Sequence, residues 1–402
     1  MKKLLSLIIA LAMICCAAAA SGDETAVETI EIATADELIA FAKSVSDGSA
    51  SGYAGQTVLL TADIDLAGVE WIPAGTMDLN DMSNYATMFQ GVFDGQGHTV
   101  SNVSWTSEDP VVGAGFIGIN AGTIQNLTVK NSSIQALNDY AMAIGCVVGY
   151  NMGRIENVHL KGTNSVCGVN SVGGITGGNM GAVYNCSVED VTVTVLGNND
   201  FSSGRIIQND TAECGGLVIG GSFGGVIDSV SAKGTVIAEG NEPVGLGGIA
   251  GCLEMMDTVS NCTAEVTIKA ANGAHAVGGL CGYAGTHSNG NVVAETEGIV
   301  TTKYPADISN ITVTAVMDIP GATHVGGLVG TGLYYHGEET AFAIRDSSAK
   351  VRITGAVTPG AIAGRTTDAC VFENVDVQVT LDGAGLTEEI GQTAVMYESA
   401  DQ

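Results

Sequence analysis

Short stretches in which every second residue is apolar recur along the chain, separated by glycine-rich pieces that are apolar almost throughout. Ile124-Gln125-Asn126-Leu127-Thr128-Val129 and Val191-Thr192-Val193-Thr194-Val195 show the alternation. A period of two places one face of a strand inward, so these stretches predict short half-buried strands. The pieces between them read AGFIG (114–118), IGCVVG (144–149), VGGITG (172–177), CGGLVIG (214–220), LGGIAG (246–251), VGGLCG (277–282), VGGLVG (325–330) and GAIAG (360–364). Each is followed by a strand of the form apolar-x-Asn-x-x-apolar. Asn126, Asn157, Asn185, Ser229, Asn261, Asn310, Asp346 and Asn374 thereby occupy one equivalent position, and an earlier partial copy adds Asn102.

The spacings between these positions are 31, 28, 44, 32, 49, 36 and 28 residues, a short unit with insertions in some copies. A unit of two or three short strands without a crossover helix cannot bury its apolar face alone. Stacked one strand spacing apart, such units close a continuous core, so the pattern predicts an all-β chain folded as a right-handed parallel β-helix of the pectate-lyase-like kind. In that fold the glycine pairs would let the backbone bend at corners. The recurring Asn suits a corner too, because it tolerates left-handed backbone geometry and its amide can bond to the next coil. Asn102, Asn126, Asn157, Asn185, Asn261, Asn310 and Asn374 are therefore expected to form a structural ladder. The same ladder accounts for the N-x-S/T sequons at Asn102, Asn126, Asn185, Asn261 and Asn310.

One segment departs from the pattern. Residues 34–46 begin with Thr34 and Glu37 in capping-box spacing and carry Leu38, Phe41, Ala42 and Val45 on one helical face, predicting a helix that caps the first coil. Trp71 and Trp105 fall near that end and are expected to pack there. GAGLTEEIG (383–391) predicts a turn or short helix over the last coil.

The first twenty residues combine Lys2 and Lys3, an apolar run and a small-residue end at Ala20, the form of a secretory signal peptide. Ile14 and Cys15 are poor substitutes for the small residue before a lipoprotein cysteine, which favours release. The expected organisation is a signal peptide over 1–20, a short segment over 21–33, the β-helix over 34–382 and a C-terminal cap or tail over 383–402. No later stretch reaches the roughly 18 uninterrupted apolar residues of a transmembrane span.

The chain carries 14 basic and 43 acidic residues, a net charge of -29, which moves to -31 once the signal peptide is removed. Nucleic acid is thereby excluded as an expected partner. Acidity leaves calcium open, but neither a D-x-D-x-D-G loop nor a G-G-x-G-x-D array occurs, and no cofactor or metal is called for. Eight cysteines follow the signal segment. Cys186 and Cys262 occupy equivalent positions two coils apart, roughly 9.6 Å at about 4.8 Å per coil, too far for a disulfide. Buried free thiols are expected.

The GG[LI]xG segments at 173, 215, 247, 278 and 326, each with its following strand, resemble the GLUG-motif repeats of bacterial surface and secreted proteins. ADELIAFAKSV, LTADIDLAG, EWIPAGT and FQGVFDGQGHTVSNV are similar to the opening of such domains, including those N-terminal to the metallopeptidase of immunoglobulin A1-cleaving enzymes. The likeness covers roughly residues 34–378. It implies a β-helix at the cell exterior with an adhesive or structural role and no catalytic residues of its own.

Catalytic motifs do not emerge. None of His98, His159, His275, His287, His324 and His336 forms H-E-x-x-H. His275 and His324 stand three and two residues ahead of their glycine pairs and are expected on opposite faces. Arg154, Arg205, Arg345, Arg352 and Arg365 form no evident cluster, and the signatures of β-helix polysaccharide hydrolases and lyases are missing. Insertions are the better candidates, since solenoid loops collect at corners and bind partners there. Residues 283–307 and 331–343 lie between a glycine strand and its Asn strand on successive coils and share a corner. They gather Tyr283, His287, Tyr304, Tyr334, Tyr335, His336, Glu338 and Glu339, aromatic rings beside polar groups suited to a glycan or protein ligand. A third insertion, 196–213, is expected at another corner. The functional expectation is a secreted, noncatalytic, adhesin-like protein binding an extracellular glycan or protein; the alternatives are a carbohydrate-active enzyme and a structural spacer.

Overall fold

The computed structural model describes residues 28–77, 85–197, 213–239, 245–254, 257–271, 273–285, 306–333, 342–366 and 370–393. The expected signal segment lies outside them. Among the described residues the chain is almost entirely β. Its strands form three stacked sheets, of 21, eight and nine strands, and every ladder is parallel except one at the C-terminal end.

One coil shows the plan. Asn170–Gly173 lies in the eight-stranded sheet and Thr176–Asn179 in the nine-stranded sheet; Ala182–Tyr184 and Ser187–Val195 form two arms of the large sheet. Each strand pairs in register with its equivalent in the coils before and after. Val172, Ile175, Thr176, Val183, Cys186, Val188, Val191, Val193 and Val195 are all buried, which realises the period of two on the large sheet.

The arms meet at the recurring Asn. Asn102, Asn126, Asn157, Asn185, Ser229, Asn261, Asn310, Asp346 and Asn374 all have φ between 49° and 61°. Left-handed geometry costs most residues about 1–2 kcal/mol, and Asn reduces that cost through local hydrogen bonds. Asn157 Nδ2 donates to Asn126 Oδ1 at 2.8 Å and Asn310 Nδ2 to Asn261 Oδ1 at 2.7 Å. Elsewhere an aspartate accepts: Asn102 bonds Asp65, Asn126 bonds Asp94, Asn261 bonds Asp228 and Asn374 bonds Asp346. The corner is thus a mixed Asn and Asp ladder.

A second polar ladder runs through the interior and escaped the sequence analysis. Asn120 Nδ2 donates to Asn151 Oδ1 at 2.8 Å, Asn151 to Asn179 at 2.9 Å and Asn179 to Ser222 Oγ at 3.1 Å; Ser222 Oγ donates in turn to Asp257 Oδ1 at 2.7 Å. All five residues are buried. Buried amides cost free energy unless bonded, and each here is bonded to its neighbouring coil. The signal was present as a repeated N-x-G, at Asn120, Asn151 and Asn179.

The glycine pairs do not work as corner hinges, because none of those in the repeated segments has positive φ except Gly113, just ahead of the first copy. Gly145, Gly173, Gly216, Gly247, Gly278, Gly326 and Gly360 share one register column. A Cβ on any of them would lie closer than 3.0 Å to the carbonyl oxygen three residues on, in the facing strand of the same coil. Gly149, Gly177, Gly220, Gly251, Gly282, Gly330 and Gly364 form the partner column, where a Cβ would strike backbone atoms of the preceding coil. The strands of the two smaller sheets therefore press together through their outer faces. Glycine is required for close approach of backbone to backbone. The register also pairs Gly216, not Gly215, with Gly173.

The N-terminal end is closed by helix α1, Ala35–Ser46. Thr34 is its N-cap: Thr34 Oγ1 accepts from Glu37 N, and Glu37 Oε2 accepts from Thr34 N at 3.0 Å. Leu38, Phe41, Ala42 and Val45 are buried, with Phe41 against Tyr53, Phe89 and Phe93. Trp71 stacks on Phe116 at 5.3 Å and its indole N–H donates to the Phe116 carbonyl, while Trp105 packs half-buried on the core. The large sheet begins earlier than the expected boundary, with Thr29–Ile32 pairing to Thr57–Leu60 ahead of the helix. At the other end, 383–391 is neither a plain turn nor a helix. Ala384–Leu386 folds back antiparallel on Val379–Leu381, and Ile390–Thr393 adds the last strand to the nine-stranded sheet.

None of the eight cysteines of the described residues is in a disulfide. Burial pushes the thiols of Cys146, Cys186 and Cys262 up to about 12.

Candidate functional site

Where the pressed strands end, two columns of side chains face each other across a narrow cleft-like seam and form its two lips. The end of the nine-stranded sheet supplies one lip, with Cys252, Tyr283, Thr331, Arg365 and Gln392 in a single register column. The start of the eight-stranded sheet supplies the other, with Cys214, Gly245, Ala276, His324 and Thr358 stacked in the same way. The lips are close together: a Cβ on Gly221 would lie 3.5 Å from Cys214 Sγ, and one on Gly245 would lie 2.9 Å from Cys252 Sγ.

All three long insertions attach here. The stretches 286–305 and 334–341 follow the strands that carry Tyr283 and Thr331, and 198–212 runs into Glu213 and Cys214 on the facing lip. The third insertion was expected at a different corner. It does join the chain between different strands, but the pinch brings that junction opposite the other two.

Of the residues expected to bind, Tyr283 alone belongs to the described structure; His287, Tyr304, Tyr334, Tyr335, His336, Glu338 and Glu339 lie outside it. Tyr283 is not the exposed ring that was expected. It is 6% exposed and packs with Cys214 and Cys252 in an apolar cluster separate from the main core. It lines the cleft wall.

Toward the C-terminal end the cleft becomes polar. His324 and His275 were expected on opposite faces, yet His324 Nδ1 donates to the His275 carbonyl at 3.1 Å, and His275 Nδ1 meets Thr323 Oγ1 at 3.3 Å. The two histidines sit one register position apart, His275 beside Thr323 and His324 beside Ala276, and His324 has a φ of 52°. Burial, with Arg365 and His275 nearby, holds the His324 imidazole below its ordinary pKa, so it is neutral at pH 7. Its backbone lies against Gly364, which brings Arg365 to the same place across the cleft. Arg365 is half-buried, and its Nε is shielded from solvent without a hydrogen-bond partner. Sequence reasoning missed this grouping because its members come from three coils and from both lips.

Elsewhere three cations pair with carboxylates on the outer surface of the large sheet. Arg154 bonds Glu156 at 2.7 Å and lies over the Tyr184 ring; Lys233 bonds Glu265 at 2.8 Å; Arg345 bridges Asp307 and Glu373. These pairs are exposed and contribute little, on the order of 0–1 kcal/mol each. No helix among the described residues is long and apolar enough to cross a membrane.

No protein family matches the chain. A stretch of 93 residues, 23% of the chain, is 42% identical to part of halomucin from Haloquadratum walsbyi, and it spans about 1% of that protein's length. Among solved structures, a Bacteroides ovatus protein provisionally named an immunoglobulin A1 protease matches 88% of this chain and 85% of its own, with a TM-score of 0.51 and 18% sequence identity. At that identity the likeness is one of fold, and by fold this chain is similar to that protein.

Proposed function

We propose that this protein is a secreted, noncatalytic binding protein of the GLUG-repeat kind, adhesin-like in role, which takes an extracellular glycan or protein through the loops that border the cleft. The observation that carries this reading is the attachment of three insertions to the two lips of one seam. Loops on a rigid frame are the usual place for recognition. Two of the insertions carry His287, Tyr304, Tyr334, Tyr335, His336, Glu338 and Glu339, side chains that suit stacking and hydrogen bonding to sugars. Secretion is inferred from the sequence of residues 1–20. We take the coil to be right-handed, the hand that parallel strands joined within one sheet adopt in nearly all proteins.

A glycan array probed with the protein and with a Tyr334→Ala/Tyr335→Ala double variant tests the reading. Binding that the variant loses supports a lectin-like site at the cleft. A blank array with both proteins removes glycans of the kinds displayed, and a variant that binds undiminished removes the tyrosines from the site.

A further inference from the structure

We propose that the polar end of the cleft binds an oxyanion, a carboxylate or sulfate ester, carried by an acidic saccharide, with Arg365 as the charged anchor. This rests on the binding-protein reading above and names the ligand chemistry.

Among the Lys and Arg side chains of the described residues, Arg365 is marked out by a buried Nε without a hydrogen-bond partner. Arg154, Lys233 and Arg345 pair with carboxylates on the outer surface of the large sheet. Arg365 forms no ion pair among the described residues, and its Nε is buried without an acceptor. A guanidinium presents five donors in a planar fork, and leaving one buried and unbonded is costly. The missing element is an anion with two oxygens, which such a fork accepts side by side.

The surroundings fit that ligand. Thr331 and Gln392 flank Arg365 on its own lip, one coil before and one after. Across the cleft stand His324, with His275 and Thr323 behind it. Hydroxyl, amide and imidazole groups hydrogen-bond saccharide oxygens without adding negative charge. Gln392 is exposed, so this end of the cleft is open to solvent. The nearest acidic residues of the last coil, Glu388 and Glu389, use their backbone carbonyls to bond Ala361, Ile362 and Ala363, and their side chains are exposed. His324 keeps its left-handed backbone in the same place; strain of this sort collects at ligand sites.

The test is titration of the full chain with labelled oligogalacturonate (carboxylate), a sulfated heparin oligosaccharide (sulfate) and a neutral cello-oligosaccharide. Binding of at least one anionic ligand, weakened by salt and by about tenfold or more in Arg365→Gln, is the expected result. Arg365→Lys should restore part of it. The anionic ligand that binds identifies the group. Thr331→Val, which removes one hydroxyl and keeps the shape, is expected to weaken the same ligand and guards against misfolding of the Arg365 variant. The proposal is overturned if neither anionic ligand binds, or if Arg365→Gln with an unchanged urea midpoint binds as well as the parent. Binding of the neutral oligosaccharide alone would overturn it while leaving the binding-protein reading in place.

Discussion

Gly177→Ala is the substitution that most directly tests how the two smaller sheets are joined. The added Cβ would fall on the backbone nitrogen of Ile144, the carbonyl carbon of Ala143 and the carbonyl oxygen of Ser171. All three are backbone atoms, so no flexible side chain can swing away, and two stacked coils must separate. Overpacking of this kind costs about 1–3 kcal/mol and sometimes more. Against it stands a gain of roughly 0.4–1 kcal/mol from a stiffer unfolded chain. The cost wins by about 1–2 kcal/mol, which for a chain of this length corresponds to a fall in Tm of about 2 °C. The control is Gly385→Ala, where the added Cβ meets nothing within 4 Å and φ is not positive; its effect should stay within about 0.5 kcal/mol. Urea and thermal unfolding of both variants give the comparison. Equal stability of the two would refute the claim that glycine is needed there for backbone contact.

Thr34→Ala removes the N-cap oxygen of α1 and should destabilise by about 1 kcal/mol in urea unfolding. Asn157→Val places a β-branched residue at a φ of 54° and breaks the bond to Asn126, so a loss of about 2 kcal/mol or more is expected, whereas Asn157→Gly should recover most of it. With thiols pushed up to about 12, Cys146, Cys186 and Cys262 carry on the order of one thiolate in ten thousand at pH 8. They should resist a thiol reagent until urea unfolds the chain; rapid native labelling would contradict the packing. Asp228 is held below the ordinary carboxylate range by hydrogen bonds from Ser260, Asn261 and Ser229. Its contribution to stability is therefore present above pH of about 4 and lost as pH falls through its lowered value. The urea midpoint of Asp228→Asn should change less with acidification than that of the parent.

The repeat was legible because its two strongest signals are local. An alternating strand declares its buried face, and an Asn recurring at one position declares a left-handed corner; Asn157 carries both a positive φ and the expected bond to the coil before it. The helix over 35–46 was legible for the same reason, since Thr34 and Glu37 lie within one turn of each other. The cleft was not. Whether a glycine serves to bend a chain or to admit a neighbour depends on what lies across from it, and Gly177 meets Ile144 from another coil. The positive φ of His324 was likewise invisible in a histidine. It is the close approach of Gly364 to the His324 backbone that brings Arg365 beside His324.

The pinch between the two smaller sheets has a consequence for how such a protein can vary. Two columns in each coil are committed to hydrogen in place of a side chain, and the core columns are committed to apolar side chains, mostly Val, Ile, Leu and Ala. Chemical variety is confined to the lips and to whatever is spliced in beside them. The lip that reads Cys252, Tyr283, Thr331, Arg365, Gln392 is then a line of replaceable letters at one per coil, each about 4.8 Å from the next. Changing a letter alters what the cleft recognises while the scaffold beneath it stays the same.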